Sequence, residues 1–174
     1  HLETYIFEDD QTGRAVAAAL AAAARRGVDV RVLVDGFGAP GFAEQQQPGL
    51  LAAGVQVLVY RPEIARFRLR RHRLRRLHRK LALIDGRVAF VGGINVIDDF
   101  NSPHRSSPRY DYAVRVEGPL LVPIQRALRR LWEVVLWARL NRRYRLTRPV
   151  EASGAVRGEQ TAAFLVRDNL RHRR

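Results

Sequence analysis

Residues 76–95 read RLHRKLALIDGRVAFVGGIN, and this stretch decides the predicted fold. Two apolar runs, LHRKLALI and RVAFVGG, flank the dipeptide Asp85-Gly86. Asp-Gly between two strand-like runs is one of the stronger signals of a two-residue β-hairpin turn. The stretch therefore predicts two neighbouring strands joined by a tight turn.

The chain before this hairpin alternates helix-like and strand-like segments. The alanine-rich segment 13–26, preceded by capping candidates and followed by Gly27, predicts a helix. The valine-rich segment 28–35 predicts a strand, and LLAAG followed by VQVLVY repeats the pattern with a shorter helix. This alternation predicts an α/β fold, with a mixed sheet flanked by helices.

The chain after the hairpin predicts a loop, a strand and a long helix. Residues 97–109 are polar and loop-like, residues 110–118 alternate as a strand, and Gly118-Pro119 begins a helix that runs to about Leu140. The apolar stripe of this helix comprises Leu121, Ile124, Leu128, Leu131 and Val135.

Two interpretations of that helix remain open. Its stripe packs on the protein's own sheet, which we favour, or it lies at a membrane interface with Trp132 and Trp137 as anchors.

The chain is strongly basic, with a formal net charge of +14 in 174 residues. Ten of the twenty residues from Arg61 to Lys80 are Arg or Lys, against one acid, Glu63. Such an excess favours a polyanionic partner, either nucleic acid or an anionic membrane surface. A genome that favours Arg and Ala codons is the alternative explanation.

Composition also excludes some chemistry. Without cysteine, the chain has neither a disulfide framework nor a thiol-based metal site or nucleophile. No stretch is apolar for long enough to span a membrane, and no signal peptide is visible. The sequence begins at His1 within a strand-like run and lacks methionine, so we expect it to be a piece of a longer protein.

His78 and Lys80 are the candidate reactive residues. Residues two apart on a strand project from one face, so an imidazole and an ammonium are expected side by side. The imidazole can attack phosphorus or donate a proton, while the ammonium neutralises the phosphate oxygens. Lys80 is the only lysine beside thirty arginines. Its retention indicates a position where a compact point charge is required and a planar guanidinium is not accepted.

The spacing resembles the signature of the phospholipase D superfamily. In that signature, His-x-Lys, four residues and Asp are followed by Gly-Gly or Gly-Ser, one residue and Asn. Here it reads HRKLALID, then six residues, then GGIN. The segments YIFEDDQTGRAVAAALAAAARRGVDVRVLVDG and RYDYAVRVEGP also resemble bacterial cardiolipin synthases, most closely the shorter B-like enzymes. The resemblance covers nearly the whole chain.

The resemblance implies specific roles. His78 would be the nucleophile that forms a phosphohistidine or the acid that protonates the leaving alcohol. Lys80, Gly93 and Asn95 would bind the phosphate, and Asp111 would orient the imidazole. The remaining candidates, Asp85 and His104, are weaker. Asp85 is either part of the catalytic motif or only the first residue of its turn, His104 is a minor candidate for a loop over the site, and His72 has no assigned chemistry. No metal or other cofactor is expected.

The resemblance also implies a site made of two halves. The family pairs two such motifs across a pseudo-twofold axis, and this chain has one. We therefore expect residues 1–140 to form a first catalytic domain, 141–160 a linker, and 161–174 the start of a second domain. The second half would come from the missing C-terminal part, which we favour, or from a second copy in a homodimer.

The sequence is compatible with three functions. The first is a phosphatidyltransferase that makes cardiolipin from phosphatidylglycerol and a second phospholipid, peripheral on the cytoplasmic face of a bacterial cell membrane. The second is a dimeric single-motif phosphodiesterase or nuclease of the same superfamily. The third is a non-catalytic, basic nucleic-acid-binding module, which leaves the solitary Lys80 unexplained. Nucleic acid is the less favoured partner.

Overall fold

The computed structural model describes residues 1–62, 76–101, 108–139 and 161–166. Most of the basic segment 61–80, His72, His104 and the predicted linker 141–160 lie outside these residues. Residues 161–166, part of the strand-like run expected to open a second domain, form neither helix nor strand.

Six strands form one sheet in the order β3-β2-β1-β4-β5-β6. The strands are β1 (Leu2–Thr4), β2 (Arg31–Asp35), β3 (Gln56–Tyr60), β4 (Leu81–Ile84), β5 (Val88–Gly92) and β6 (Ala113–Val116). β1 pairs with β2 and β2 with β3 in parallel, whereas β1 pairs with β4 antiparallel. The sheet is therefore mixed, as the sequence predicts.

The helices are α1 (Gln11–Arg25), α2 (Phe42–Gln45), α3 (Gln47–Ala52) and α4 (Leu121–Ala138), the last preceded by a 3-10 turn at Gly118–Leu120. Asp10 caps α1, its carboxylate accepting from the Gly13 amide at 2.8 Å. Among the described helices, none is both long enough and apolar enough to cross a bilayer.

The chain divides into two compact units. The first comprises His1–Ala82 and Phe90–Val114, and the second comprises Leu83–Ala89 and Arg115–Arg174. The first unit has an apolar core formed by Phe7, Ala17, Val30, Val32, Val34, Ala39, Phe42, Leu50, Val55, Val57, Val59 and Val96. The alternating valines of β2 and β3 supply its centre, which is why these strands read as apolar runs in the sequence.

In the second unit, α4 buries the predicted stripe except for Leu131, and it also buries Trp132 and Leu136. Leu131 is half-buried, and Trp132 is buried with 2% of its surface exposed. Trp132 follows Leu128 by four residues, which is the spacing of one helix face. Trp137 is 80% exposed. The two tryptophans therefore cannot both act as exposed anchors.

Two strand predictions were too long. β4 begins at Leu81 rather than at Leu77, so His78 and Lys80 lie in the segment just before the strand. The Leu77 amide donates to the Asp35 carboxylate at 2.6 Å, which explains why it makes no sheet bond. β6 comprises Ala113–Val116 only, whereas residues 110–118 were predicted.

Glu3 gives the fold a testable pH dependence. Its side chain is fully buried, and burial raises its pKa to about 7, although the attraction of Arg79, 3.3 Å away, opposes the rise. Because the pKa of Glu3 is higher in the folded protein, the folded protein holds a proton that the unfolded chain has lost. The contribution of protonated Glu3 to the free energy of unfolding is therefore fully present below about pH 4.5 and is lost as the pH rises through about 7.

Glu3→Gln is therefore expected to remove a pH-dependent component of up to ~3 kcal/mol from the free energy of unfolding, at about 1.4 kcal/mol per pKa unit. Denaturant unfolding of both proteins between pH 4.5 and 8 measures the difference. Parallel curves for wild type and variant would contradict the assignment.

Candidate active site

The sheet topology brings the segment of His78 and Lys80 to one particular edge of the sheet. This is the edge formed by the carboxyl ends of the parallel strands β1, β2 and β3. β1 runs toward this edge and β4 runs away from it, with Glu3 opposite Leu81. The residues that follow β1 and β2 and those that precede β4 therefore meet at one place. This is the edge at which ligands bind in open α/β sheets.

His78 and Lys80 are in direct contact there. The Lys80 Nζ lies 3.1 Å from the His78 Nε2. His78 is exposed and Lys80 is half-buried, so the pair is open to a ligand on the His78 side. If Lys80 is charged it can only donate, and Nε2 must then carry its lone pair with the proton on Nδ1. The pair thus places a basic nitrogen, whose lone pair faces the ammonium, directly beside a cation.

The electrostatic setting of Lys80 favours such a role. Partial burial lowers the pKa of its ammonium, and the negative charge of Asp111 partly offsets this. A desolvated ammonium interacts more strongly with a phosphate oxygen than a fully hydrated one.

Asn95 holds two segments together. Its Oδ1 accepts from the Ile6 amide at 3.1 Å, and its Nδ2 lies 3.4 Å from the Gly93 carbonyl oxygen. The phosphate-binding role expected of Asn95 stays a prediction. The contacts show that its amide also ties the end of β5 to the chain after β1.

Gly93 and Asp111 lie against each other. A Cβ added at Gly93 would lie 2.6 Å from the Asp111 Oδ1, so the glycine leaves the space that this carboxylate fills. The Gly93 amide donates to the Tyr112 carbonyl at 2.8 Å, which fixes this approach. In the described part of the chain, no hydrogen bond joins Asp111 to His78, and the orienting role of Asp111 stays a prediction.

Asp85 forms the predicted turn. Its φ is 52° and that of Gly86 is 66°, so both central residues have the left-handed conformation that a tight hairpin turn requires. The Arg87 amide closes the turn on the Ile84 carbonyl at 2.9 Å. The turn accounts for Asp85, and a catalytic role for it stays a prediction.

No group of three or more His, Asp or Glu side chains that could hold a metal ion occurs within residues 1–62, 76–101, 108–139 and 161–166.

Comparison with known proteins identifies the family. The family model described as "Cardiolipin synthase, PLD-like domain", where PLD denotes phospholipase D, matches residues 1–132. The chain belongs to this family. "Cardiolipin synthase B" of Escherichia coli (strain K12) is 37% identical over 182 aligned residues, which cover 99% of this chain and 41% of that relative. "Cardiolipin synthase 1" of Bacillus anthracis is 32% identical over 126 residues, covering 72% and 25% respectively.

The chain thus spans about two fifths of the length of the cardiolipin synthase B proteins that it matches. Among solved structures, NucT from Helicobacter pylori is similar with a TM-score of 0.51 and 20% identity, covering 78% of this chain and 77% of that one. This likeness shows the fold. The resemblance to cardiolipin synthases and the predicted mixed α/β fold of the phospholipase D type are both confirmed.

The sequence-based prediction did not single out two residues that lie at the site of this phospholipase D-like domain. Tyr5 contacts both members of the reactive pair, and Asp35 is a buried carboxylate that accepts from the Leu77 amide. The available signal was their position, since each ends or directly follows a strand of the parallel part of the sheet. The sequence does not by itself specify that β4 begins beside them.

Proposed function

We propose that the longer protein to which this chain corresponds is a phosphatidyltransferase that forms cardiolipin. The observation that carries the proposal is the contact of His78 with Lys80, with 3.1 Å between Nε2 and Nζ. The contact lies at the edge of the phospholipase D-like sheet where the parallel strands end. Membership in the cardiolipin synthase family supports phospholipids as the substrate class.

The proposed reaction has two displacements at phosphorus. In the first, an imidazole nitrogen forms a bond to phosphorus, the bond to the leaving alcohol breaks, and a second histidine gives that alcohol its proton. In the second, a hydroxyl of phosphatidylglycerol gives its proton to the second histidine and bonds to phosphorus, and the phosphorus–nitrogen bond breaks. His78 is one of the two histidines, acting as nucleophile or as acid.

Lys80 acts on the charge that develops. Its ammonium is proposed to neutralise the non-bridging phosphate oxygens, since it lies 3.1 Å from the imidazole Nε2. The Asn95 amide is proposed to add a donor to these oxygens, and Asp111 to stabilise the imidazolium.

The second histidine comes from outside this chain's motif. The remaining length of the cardiolipin synthase relatives supports a second half within the same longer protein, and a second copy of the chain is the alternative. The net charge of +14 supports peripheral binding to an anionic leaflet, at about 1 kcal/mol per basic residue near the surface. We propose the cytoplasmic face of the bacterial cell membrane.

The test is to incubate the longer protein with phosphatidylglycerol vesicles and, in parallel, with plasmid DNA. We expect cardiolipin in the first assay and intact DNA in the second. Residues 1–174 by themselves should give negligible turnover if the second histidine lies elsewhere in the longer protein, whereas turnover by a dimer of residues 1–174 would support the second copy as its source. Nicked DNA without cardiolipin would replace the proposal with the nuclease alternative, and binding of DNA without either reaction would favour the non-catalytic module.

A further inference from the structure

One aromatic ring contacts both members of the reactive pair. The Tyr5 ring centroid lies 5.0 Å from that of His78, with the two planes tilted by 54°, and 5.4 Å from the Lys80 Nζ. The first distance is that of a favourable aromatic pair, and the second is within the range of a cation–π contact. Tyr5, His78 and Lys80 therefore form a closed triangle of contacts, because the imidazole and the ammonium also touch.

The backbone of Gly38 packs directly against Tyr5. A Cβ added at Gly38 would lie 2.7 Å from the Tyr5 Cε2 and 2.3 Å from the Tyr5 carbonyl oxygen. Only a residue without a side chain allows this approach, so the loop after β2 packs its backbone directly on Tyr5.

One buried carboxylate connects the Gly38 backbone to the segment that carries His78. Asp35, 1% exposed, accepts from the Gly38 amide at 3.1 Å with one oxygen and from the Leu77 amide at 2.6 Å with the other. Leu77 directly precedes His78. The Gly38 backbone, which packs on Tyr5, and the Leu77 backbone, which precedes His78, are thus both bonded to the Asp35 side chain.

We propose that Tyr5 is a positioning residue that holds His78 and Lys80 in their mutual geometry through the face of its ring. The inference rests on the proposed function for its activity readout. The face of the ring limits rotation of the imidazole and stabilises the ammonium in its partly desolvated site. The hydroxyl is not used, so phenylalanine should serve equally well.

The test compares Tyr5→Phe and Tyr5→Leu in the longer protein, with cardiolipin formation on phosphatidylglycerol vesicles measured against pH. Tyr5→Phe should remain within about twofold of wild type. Tyr5→Leu should lower kcat by roughly tenfold with little change in KM, since misorientation affects the transition state more than substrate binding. Its basic pH limb should also move to lower pH, because the ammonium loses the ring that stabilises its charge.

A series of increasingly fluorinated phenylalanines at position 5 keeps the shape of the ring while weakening its negative face. The high-pH limb of the activity profile should move stepwise to lower pH along this series. This result would support the role of the ring face even if Tyr5→Leu does not fold. An unmoved limb, or equal losses in Tyr5→Phe and Tyr5→Leu, would overturn the inference. Wild-type protein that makes no cardiolipin would instead refute the proposed function, and the same pH series can then be run on whichever phosphodiester it cleaves.

Discussion

Replacing His78 with Asn is expected to lower cardiolipin formation by at least about a thousandfold, which corresponds to ~4 kcal/mol of transition-state stabilisation. Asn keeps a polar side chain of similar reach but can neither bond to phosphorus nor carry a proton at neutral pH. His78 is exposed, and its side chain contacts Lys80 and Tyr5, so the fold should tolerate the change. Initial rates on phosphatidylglycerol vesicles measure the effect.

His72→Asn is the matched control, because it removes a histidine that lies six residues earlier and outside the motif. That variant should retain wild-type activity, and the thermal transition of both variants should stay within a few degrees of wild type. If His78→Asn kept more than a tenth of the activity, His78 would be neither nucleophile nor acid.

Replacing Lys80 with Arg is expected to lower activity by at least about tenfold, or ~1.4 kcal/mol. The ammonium lies 3.1 Å from the His78 Nε2 and 5.4 Å from the centroid of the Tyr5 ring. A planar guanidinium is larger and presents a fork of donors, so it cannot reproduce this point contact. Because Lys80→Arg leaves the net charge unchanged, any loss of activity reflects the different geometry of the cationic group.

The pH profile adds an independent readout for this variant. Burial lowers the pKa of Lys80, so wild-type activity should fall at high pH as the ammonium loses its proton. Arg stays protonated throughout, and the limb due to Lys80 should disappear in Lys80→Arg. Arg14→Lys, at an exposed ion pair with Asp9, is the control for an Arg–Lys exchange and should behave as wild type. Wild-type turnover in Lys80→Arg would remove Lys80 from the mechanism.

The sequence predicted those features that depend on local rules. The turn at Asp85-Gly86 was predictable because two adjacent residues with positive φ demand this type of dipeptide. The contact of His78 with Lys80 agrees with the spacing expected of a strand, although both residues lie just before β4. The alternation of helices and strands likewise gave the mixed sheet.

Features that depend on contacts between distant segments were not predictable. The start of β4 was placed too early, because the Leu77 amide bonds to Asp35 instead of continuing the sheet, and a single sequence does not show that pairing. Tyr5 was missed for the same reason, since its contact with His78 follows from the register of β1 against β4. The stripe of α4 shifted from Leu131 to Trp132 because both residues lie within the range of helical spacing and tertiary burial chooses between them.

The most direct measurement is a crystal structure of the longer protein soaked with tungstate, a tetrahedral oxyanion of phosphate-like shape. The central claim is that an imidazole and an ammonium at the sheet edge together bind a phosphate group. It predicts tungstate oxygens within about 3 Å of both the His78 Nε2 and the Lys80 Nζ. Tungstate bound elsewhere, with this pair making no contact to it, would contradict the claim.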